Sequence, residues 1–209
     1  MTVKEIMADL QANGSESIKK IFLKHGIKEP FFGVKVEYLK TIQKKVKKDY
    51  QLAKDLYATG NADAMYLAGL IADDAQMTKA DLKTWAKQAV STNISEYTVP
   101  WVAAESRYGF EMAMEWIDAA EDHIAAAGWA TLGNLLALKP DSELDKPALK
   151  KLLKRVTQQI HTVPNRVRYT MNGFIIAAGS YVPDLLDEAM AAAKKIGVVT
   201  VDKNGTACK

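Results

Sequence analysis

Apolar residues recur along most of this chain at intervals of three and four positions, the spacing that places them on one side of an α-helix. Between residues 34 and 48, Leu39, Ile42 and Val46 form one apolar stripe, and lysines fill much of the remainder. Convincing strand alternation is found almost nowhere. The periodicity predicts about eleven helices, at 15–25, 34–48, 51–59, 62–72, 79–90, 95–108, 110–119, 122–138, 146–160, 164–178 and 183–196.

Residue types that start and stop helices separate these segments. Asn61 and Thr78 stand where N-caps are expected, and Asp81 follows Thr78 at capping-box spacing. Pro100 interrupts a helical stretch and predicts either a helix start or a kink. Glycines stand at three expected C-caps, namely Gly60, Gly179 and Gly197.

Many helices of similar length with short connectors favour antiparallel pairs stacked side by side. The fold class is therefore all-α, and we expect a HEAT-like helical-repeat solenoid over residues 1–196. A compact helical bundle is the alternative. Residues 197–209 break the helical pattern, and we expect an extended C-terminal tail or a short strand there.

Composition narrows the classes of protein. The single cysteine, Cys208, excludes a disulfide within the chain. No apolar run reaches the roughly 18 residues needed to span a bilayer, and the first residues lack the layout of a secretory signal. We therefore expect a cytoplasmic protein with no membrane partner. The three histidines are far apart and no glycine-rich phosphate loop is present, so we expect neither a metal nor a cofactor.

Charge is distributed unevenly along the chain. Residues 1–50 carry 11 basic and 6 acidic side chains, residues 51–145 carry 6 and 15, and residues 146–209 carry 11 and 4. Two basic regions indicate a polyanionic partner contacted at two places. Solvated helix faces would give the same pattern, and the acidic middle favours a protein partner instead.

One candidate for chemistry lies in the acidic middle. Trp101, Glu105 and Tyr108 are spaced i, i+4 and i+7, so a single helix would present them on one face. A tryptophan ring beside a carboxylate suits a flat cationic group. The alternative is that Trp101 belongs to the core and that Glu105 is solvated or paired with Arg107.

A second candidate is basic. Arg166 and Arg168 fall in the first turn of a predicted helix, where backbone N–H groups favour an anion, and Lys150–Arg155 extend the patch. These arginines could equally pair with acids of a neighbouring helix.

The segment Phe-Gly-Val-Lys-Val-Glu-Tyr-Leu-Lys-Thr-Ile at 32–42 resembles the opening motif of the DNA alkylation repair proteins, the AlkD-like HEAT-repeat DNA glycosylases. The resemblance covers residues 15–196, with further matching stretches at 101–106 and 166–181. It implies a curved stack of helix pairs whose concave basic face holds duplex DNA. It also implies that active members excise cationic N3- and N7-alkylpurines by water attack at the sugar, without extruding the base into a pocket.

The resemblance assigns roles to individual residues. Where the family has a Trp followed four residues later by an Asp, this chain has Trp101 and Glu105. Phe174 stands at the position of a second catalytic Trp, and Gly128 near that of an Arg that contacts the DNA backbone. The resemblance thus implies that Trp101 and Phe174 flank a lesioned nucleotide, while Glu105 stabilises the oxocarbenium cation and positions water.

Two classes of function follow. The first is a monomeric DNA-binding protein, acting as a weak or altered glycosylase or as a non-catalytic binder of damaged or branched DNA. The second is a solenoid scaffold for a protein partner. The expected DNA contacts are Lys40, Lys44, Lys45, Lys47, Lys48, Lys151, Lys154, Arg155, Arg166, Arg168 and Tyr108. The DNA-binding function requires the basic groups to share one face.

Overall fold

The helical periodicity is realised as twelve α-helices in a computed structural model of the protein, which describes residues 1–203. The helices are α1 (Val3–Ala12), α2 (Glu16–Lys24), α3 (Val36–Val46), α4 (Tyr50–Tyr57), α5 (Ala62–Ile71), α6 (Lys79–Gln88), α7 (Val99–Glu105), α8 (Gly109–Trp116), α9 (Asp122–Leu138), α10 (Lys146–Gln159), α11 (Asn165–Tyr181) and α12 (Leu186–Ile196). A π-helix, Ile94–Thr98, leads directly into α7. No strand is present between residues 1 and 203.

All eleven predicted segments contain a helix, and several predicted caps are confirmed. Asn61 accepts hydrogen bonds from two backbone N–H groups of α5, and Thr78 and Asp81 form a complete capping box. The helix α1 was missed, although Thr2 and Glu5 form a capping box at its start. Only Ile6 and Leu10 of α1 are fully buried, which leaves its apolar stripe short.

The prediction for Gly179 was wrong. This glycine lies inside α11, which continues to Tyr181. A Cβ at Gly179 would lie 3.3 Å from the Cβ of Ala189 on α12. The missing side chain therefore serves close packing of α11 against α12, not a helix end.

The predicted helix at 95–108 is divided into separate elements. Pro100 lies in the first turn of α7 and has no N–H, so the wider π-helix precedes it. After Glu105 the chain becomes extended at Ser106, and α8 begins at Gly109. A Cβ at Gly109 would lie 2.6 Å from the carbonyl oxygen of Ala103, so this reversal requires glycine. The expectation that Tyr108 continues the helix of Trp101 and Glu105 was wrong.

The helices pack as pairs in two rows. The inner row consists of α3, α5, the π-helix with α7, α9 and α11, each packed against the next. The outer row consists of α4, α6, α8, α10 and α12, which pair with inner-row helices. The longest helices, α9 and α11, make the most extensive contact in the molecule. This two-row stack is the arrangement expected for repeated helix pairs.

Ion pairs connect neighbouring helices of the outer row. They are Lys54–Asp81, Lys79–Glu111, Lys83–Glu115, Arg155–Asp118, Lys146–Asp184 and Lys150–Glu188. An exposed pair contributes about 0–1 kcal/mol, so the series matters mainly for where it places charge. The series uses four of the acids between residues 51 and 145 and three bases of the C-terminal region.

The described part of the tail, residues 197–203, has no regular secondary structure and forms hydrogen bonds with α11. The Arg168 guanidinium donates to the carbonyl oxygen of Thr200 at 3.0 Å, and Asn165 and Asp202 exchange two hydrogen bonds of 2.8 Å. Val199 packs on the C-terminal core. Cys208 lies outside the described residues. Within residues 1–203 no helix is both long and apolar enough to cross a membrane.

Candidate nucleic-acid interface

Four aromatic side chains form a continuous row on the inner-row helices. This aromatic row consists of Tyr66 on α5, Trp101 on α7, Tyr97 on the π-helix and Tyr169 on α11. The ring of Trp101 lies 5.5 Å from that of Tyr66 and 6.1 Å from that of Tyr97, in edge-on geometries. The hydroxyls of Tyr97 and Tyr169 lie 3.3 Å apart. Tyr97 is 42% exposed and the other three are partly exposed, so solvent-facing aromatic surface extends across four elements.

A buried ion pair lies beneath one end of the aromatic row. The Arg166 guanidinium contacts both carboxylate oxygens of Glu96, with its Nε 2.5 Å from Oε1. The side chain of Glu96 is 1% exposed and that of Arg166 is 30% exposed. Burial raises the pKa of the Glu96 carboxyl, and the bonds from Arg166 oppose that rise. The guanidinium also lies 4.6 Å from the centre of the Tyr169 ring.

The arginines of α11 are therefore already engaged. Arg166 neutralises Glu96, which is the pairing with a neighbouring acid that the sequence left open beside phosphate binding. Arg168 donates to four backbone carbonyls, so its guanidinium fixes the loop before α11 and the tail, not a phosphate. These carbonyls belong to Ile160, His161, Val163 and Thr200.

Trp101 and Glu105 share α7 but have different surroundings. Trp101 is the centre of the aromatic row, whereas Glu105 is the exposed last residue of the helix. Glu105 interacts with Lys48, whose pKa is raised first by a hydrogen bond to Asp74 and further by Glu105 and Asp73. Lys48 thus lies among three carboxylates, and its predicted contact with a phosphate would compete with them.

Phe174 does not reach the surface. Its side chain is 0% exposed and its ring centre lies 5.4 Å from that of buried Trp129. The expectation that Phe174 flanks a lesioned nucleotide is therefore wrong for this conformation. Gly128 is equally enclosed, because a Cβ there would lie 2.7 Å from the backbone nitrogen of Ile117. No side chain as large as arginine fits at residue 128.

The remaining predicted contacts divide between the two rows. Lys40, Lys44, Lys45 and Lys47 are exposed on or next to α3, and none of them forms an ion pair within residues 1–203. Lys151 and Lys154 are exposed on α10 in the outer row, where Arg155 pairs with Asp118. The basic groups therefore do not all lie on helices of one row, as a single DNA-binding face would require.

Tyr108 lies apart from the aromatic row. Its ring is flanked by two cations, with the Lys79 Nζ 5.3 Å and the Arg107 guanidinium carbon 4.8 Å from the ring centre. Lys79 belongs to outer-row α6 and pairs with Glu111. Tyr108 is therefore a neighbour of the outer-row ion pairs.

A cleft of about 690 Å³ opens beside the aromatic row. Tyr97, Tyr169, Glu96 and Arg166 belong to its lining, together with residues that follow α2 and α6. Asn93 also lines it, and the side-chain oxygen of Asn93 is buried without a hydrogen-bond partner among the described residues. Leaving a buried polar atom unpaired costs about 1–3 kcal/mol, so this oxygen marks a place where a donor would be accommodated.

Sequence reasoning overlooked Tyr66, Tyr97, Tyr169 and Glu96. The i, i+4 spacing of Tyr97 and Trp101 was a usable signal for one pair, because such residues share a helix face. The other contacts join residues far apart in the sequence, by 35 positions for Tyr66 with Trp101 and by 70 for Glu96 with Arg166. Within residues 1–203, no group of three His, Cys, Asp or Glu side chains is placed to hold a metal ion.

Comparisons with known proteins agree over the whole chain. Residues 6–198 match the family described as DNA alkylation repair enzyme. The uncharacterized protein Lmo0209 of Listeria monocytogenes serovar 1/2a is 32% identical, and Lin0241 of Listeria innocua serovar 6a is 30% identical. Each alignment covers 100% of this chain and 92% of the relative.

A solved structure provides the comparison of folds. It belongs to a new family of proteins related to the HEAT-like repeat DNA glycosylases, with affinity for branched DNA structures. It is 35% identical, covers 99% of this chain and 88% of its own, and has a TM-score of 0.92. This likeness confirms the predicted HEAT-like arrangement over the compact helical bundle. The chain belongs to the DNA alkylation repair enzyme family.

Proposed function

We propose that this protein binds branched DNA through the aromatic row and the exposed lysines of α3, without cleaving the glycosidic bond. The observation that carries the proposal is the aromatic row, because bases exposed at a branch point can stack on such rings. The lysines of α3 supply charge for phosphates, the sequence-independent part of DNA affinity. The affinity of the structurally similar protein for branched DNA supports the choice of ligand.

The placement of the carboxylates favours binding over catalysis. Glu96 lies beneath one end of the aromatic row, and Arg166 occupies both of its oxygens. A carboxylate held in this way is a poor group for stabilising a developing cation on a ligand. Buried Phe174 likewise offers no ring to a lesion.

Neutralising two lysines of the inner row is expected to weaken junction binding selectively. The double variant Lys40→Gln/Lys44→Gln removes charges one helical turn apart on α3, and each lost phosphate contact should lower the salt slope by about one. We expect roughly five- to tenfold weaker binding to a four-way junction at about 100 mM salt. Fluorescence anisotropy of a labelled junction, with a linear duplex of equal length, measures both affinities.

The matched control is Lys151→Gln/Lys154→Gln on outer-row α10. It removes the same charge, so a general electrostatic effect would weaken binding equally in both variants. We expect this control to bind within about twofold of the natural protein. Equal losses in the two variants would contradict the assignment of the inner row. Absence of junction binding at about 50 mM salt would contradict DNA binding itself and favour a protein partner.

A glycosylase is the second candidate function. It is favoured by the i, i+4 placement on α7 of Trp101, which is partly exposed, and Glu105, whose carboxylate is exposed. In that function the Trp101 ring faces a cationic alkylpurine and Glu105 stabilises the oxocarbenium cation. The leaving base is already cationic, so no general acid is required.

Release of 7-methylguanine from methylated duplex DNA separates the two functions. For a non-catalytic binder we expect the rate to equal that of DNA alone, because no group of the protein then stabilises the developing cation. Chromatography of the released bases gives the rate, and Glu105→Gln is the matched variant. Release that falls at least tenfold in Glu105→Gln would establish the glycosylase, since misplacing such a group costs about 100-fold. An equal rate above background in both proteins would remove Glu105 from the mechanism.

A further inference from the structure

We propose that the cleft beside the aromatic row is a subsite for one unpaired nucleotide of the branched DNA, with preference for a base that carries an exocyclic amino group. The inference rests on the proposed function and adds the recognition of a single base to it. Its evidence is the size of the cleft, its aromatic walls, its hydrogen-bond acceptors and its continuity with the aromatic row.

The volume of the cleft and its aromatic lining are suitable for a nucleobase. The volume of about 690 Å³ lies within the roughly 300–1,000 Å³ range of small-molecule sites. Phe22, Tyr97 and Tyr169 contribute aromatic surface to the lining, and aromatic rings are the usual stacking partners of unpaired bases. Tyr97 and Tyr169 also belong to the aromatic row. A strand that follows the row would therefore reach the cleft without leaving the protein surface.

The cleft is lined by donors and cations as well as by acceptors, and three of its uncharged side-chain oxygens can accept a hydrogen bond. The Asn93 side-chain oxygen is buried and has no donor within the described residues. Thr92 Oγ1 donates to the carbonyl of His25 at 2.8 Å, and Ser95 Oγ donates to that of Ser91 at 3.3 Å. Both hydroxyl oxygens keep acceptor capacity after donating. Adenine, cytosine and guanine each present an amino group to such acceptors, whereas thymine does not.

Residues at the rim of the cleft can contact the sugar–phosphate of the bound nucleotide. His25 and Lys28 are exposed lining residues at the end of α2, on the side opposite α11. A base already unpaired at a branch point also enters without the energy needed to break a pair. A paired base in a duplex would incur that energy, so the cleft selects for branched or gapped DNA.

The experiment compares two junctions that differ at one position. One three-way junction carries a single unpaired adenosine at the branch point, and the other carries an abasic tetrahydrofuran residue there. We expect the protein to bind the adenosine junction about tenfold more tightly, because the additional base stacks on the aromatic rings of the cleft. Thymidine at the same position should give a smaller gain than adenosine or cytidine. Fluorescence anisotropy measures every affinity under one salt condition.

Two variants test the cleft and one controls for added bulk. Val90→Phe fills the cleft from a residue that is 50% exposed, and Asn93→Leu removes the amide. Val90→Phe should bring the ratio of adenosine to abasic affinity close to one, because it removes the space for the base. Asn93→Leu keeps the stacking rings, so it should lower the ratio in part and remove the preference for adenosine over thymidine. Affinity for the abasic junction should stay within about twofold in both variants. Met190→Phe, at a residue that is 65% exposed on α12 and outside the cleft, should keep the full ratio. The folding of Asn93→Leu is checked independently by its thermal unfolding.

The outcomes separate the subsite from the proposed function. Equal affinity for the adenosine and abasic junctions would overturn the subsite and leave branched-DNA binding intact. Absence of binding to either junction would overturn both. Free deoxyadenosine monophosphate is titrated as a third ligand, and we expect no saturation below millimolar concentration. Micromolar binding that Val90→Phe abolishes would identify a site for a free nucleotide and overturn the assignment to DNA.

Discussion

Replacing Arg166 with alanine is expected to lower the free energy of unfolding by about 3 kcal/mol, because it leaves the Glu96 carboxylate buried without a partner. The Glu96 side chain is 1% exposed, so the guanidinium of Arg166 and not water solvates its charge in the folded protein. Breaking a buried pair by removing one partner costs about 3–5 kcal/mol. We expect a loss at the lower end of this range, because the Arg166 side chain is 30% exposed. Urea unfolding followed by circular dichroism measures the change.

The loss in Arg166→Ala should depend on pH in a definite direction. Burial already raises the pKa of Glu96 in the folded protein, and removing Arg166 removes the main opposing influence. Between the ordinary carboxyl pKa of 4.5 and the raised folded value, the folded state binds more protons than the unfolded state. Stability therefore falls as pH rises through that window. The deficit should be largest at neutral pH and should shrink towards pH 4.5.

A double variant controls for the charge. In Glu96→Gln/Arg166→Met no buried charge remains, and a buried ion pair can often be replaced by neutral groups at little cost. We expect this variant to recover more than half of the stability lost in Arg166→Ala and to lose the pH dependence. A loss in Arg166→Ala of less than about 1 kcal/mol at pH 7 would mean that the pair is effectively solvated.

The sequence predicts the helices well because their signal is local. A period of 3.6 residues and a capping box are read within a few positions, as at Thr78 and Asp81. The same reasoning gave Gly179 as a helix end, because a sequence does not show that Ala189 packs against that position. Helix α1 was missed for a related reason. Its apolar stripe is short, and the sequence does not show that the helix packs against α4 and α5.

The site was less predictable because its contacts join distant segments. Periodicity shows which face of a helix is apolar, but not which neighbour covers its polar side. The arginines of α11 illustrate this limit, because Glu96 lies 70 positions from Arg166. The acidic middle was read as unfavourable for DNA binding. The structure instead places Asp81, Glu115 and Asp118 in ion pairs of the outer row.

Of the four residues of the aromatic row, the sequence singled out only Trp101. Only Tyr97 is a helical neighbour of Trp101. Tyr66 is brought beside Trp101 by the packing of α5 against the π-helix and α7, and the Tyr169 hydroxyl reaches that of Tyr97 from α11. A row of partly exposed rings on four elements lacks the single-segment signature that a motif search detects. Its function can only be tested in the folded protein.

Replacing Trp101 with alanine is accordingly expected to weaken junction binding by about 10- to 100-fold, since loss of one stacked base costs about 1–3 kcal/mol. Trp101 contacts both Tyr66 and Tyr97, so its removal interrupts the row at its centre. Trp101→Phe keeps a stacking face and should lose less than about fivefold. A fall in affinity for linear duplex as large as that for the junction would argue against base stacking. Anisotropy with both DNAs, alongside urea unfolding of each variant, distinguishes lost contact with bases from lost folding.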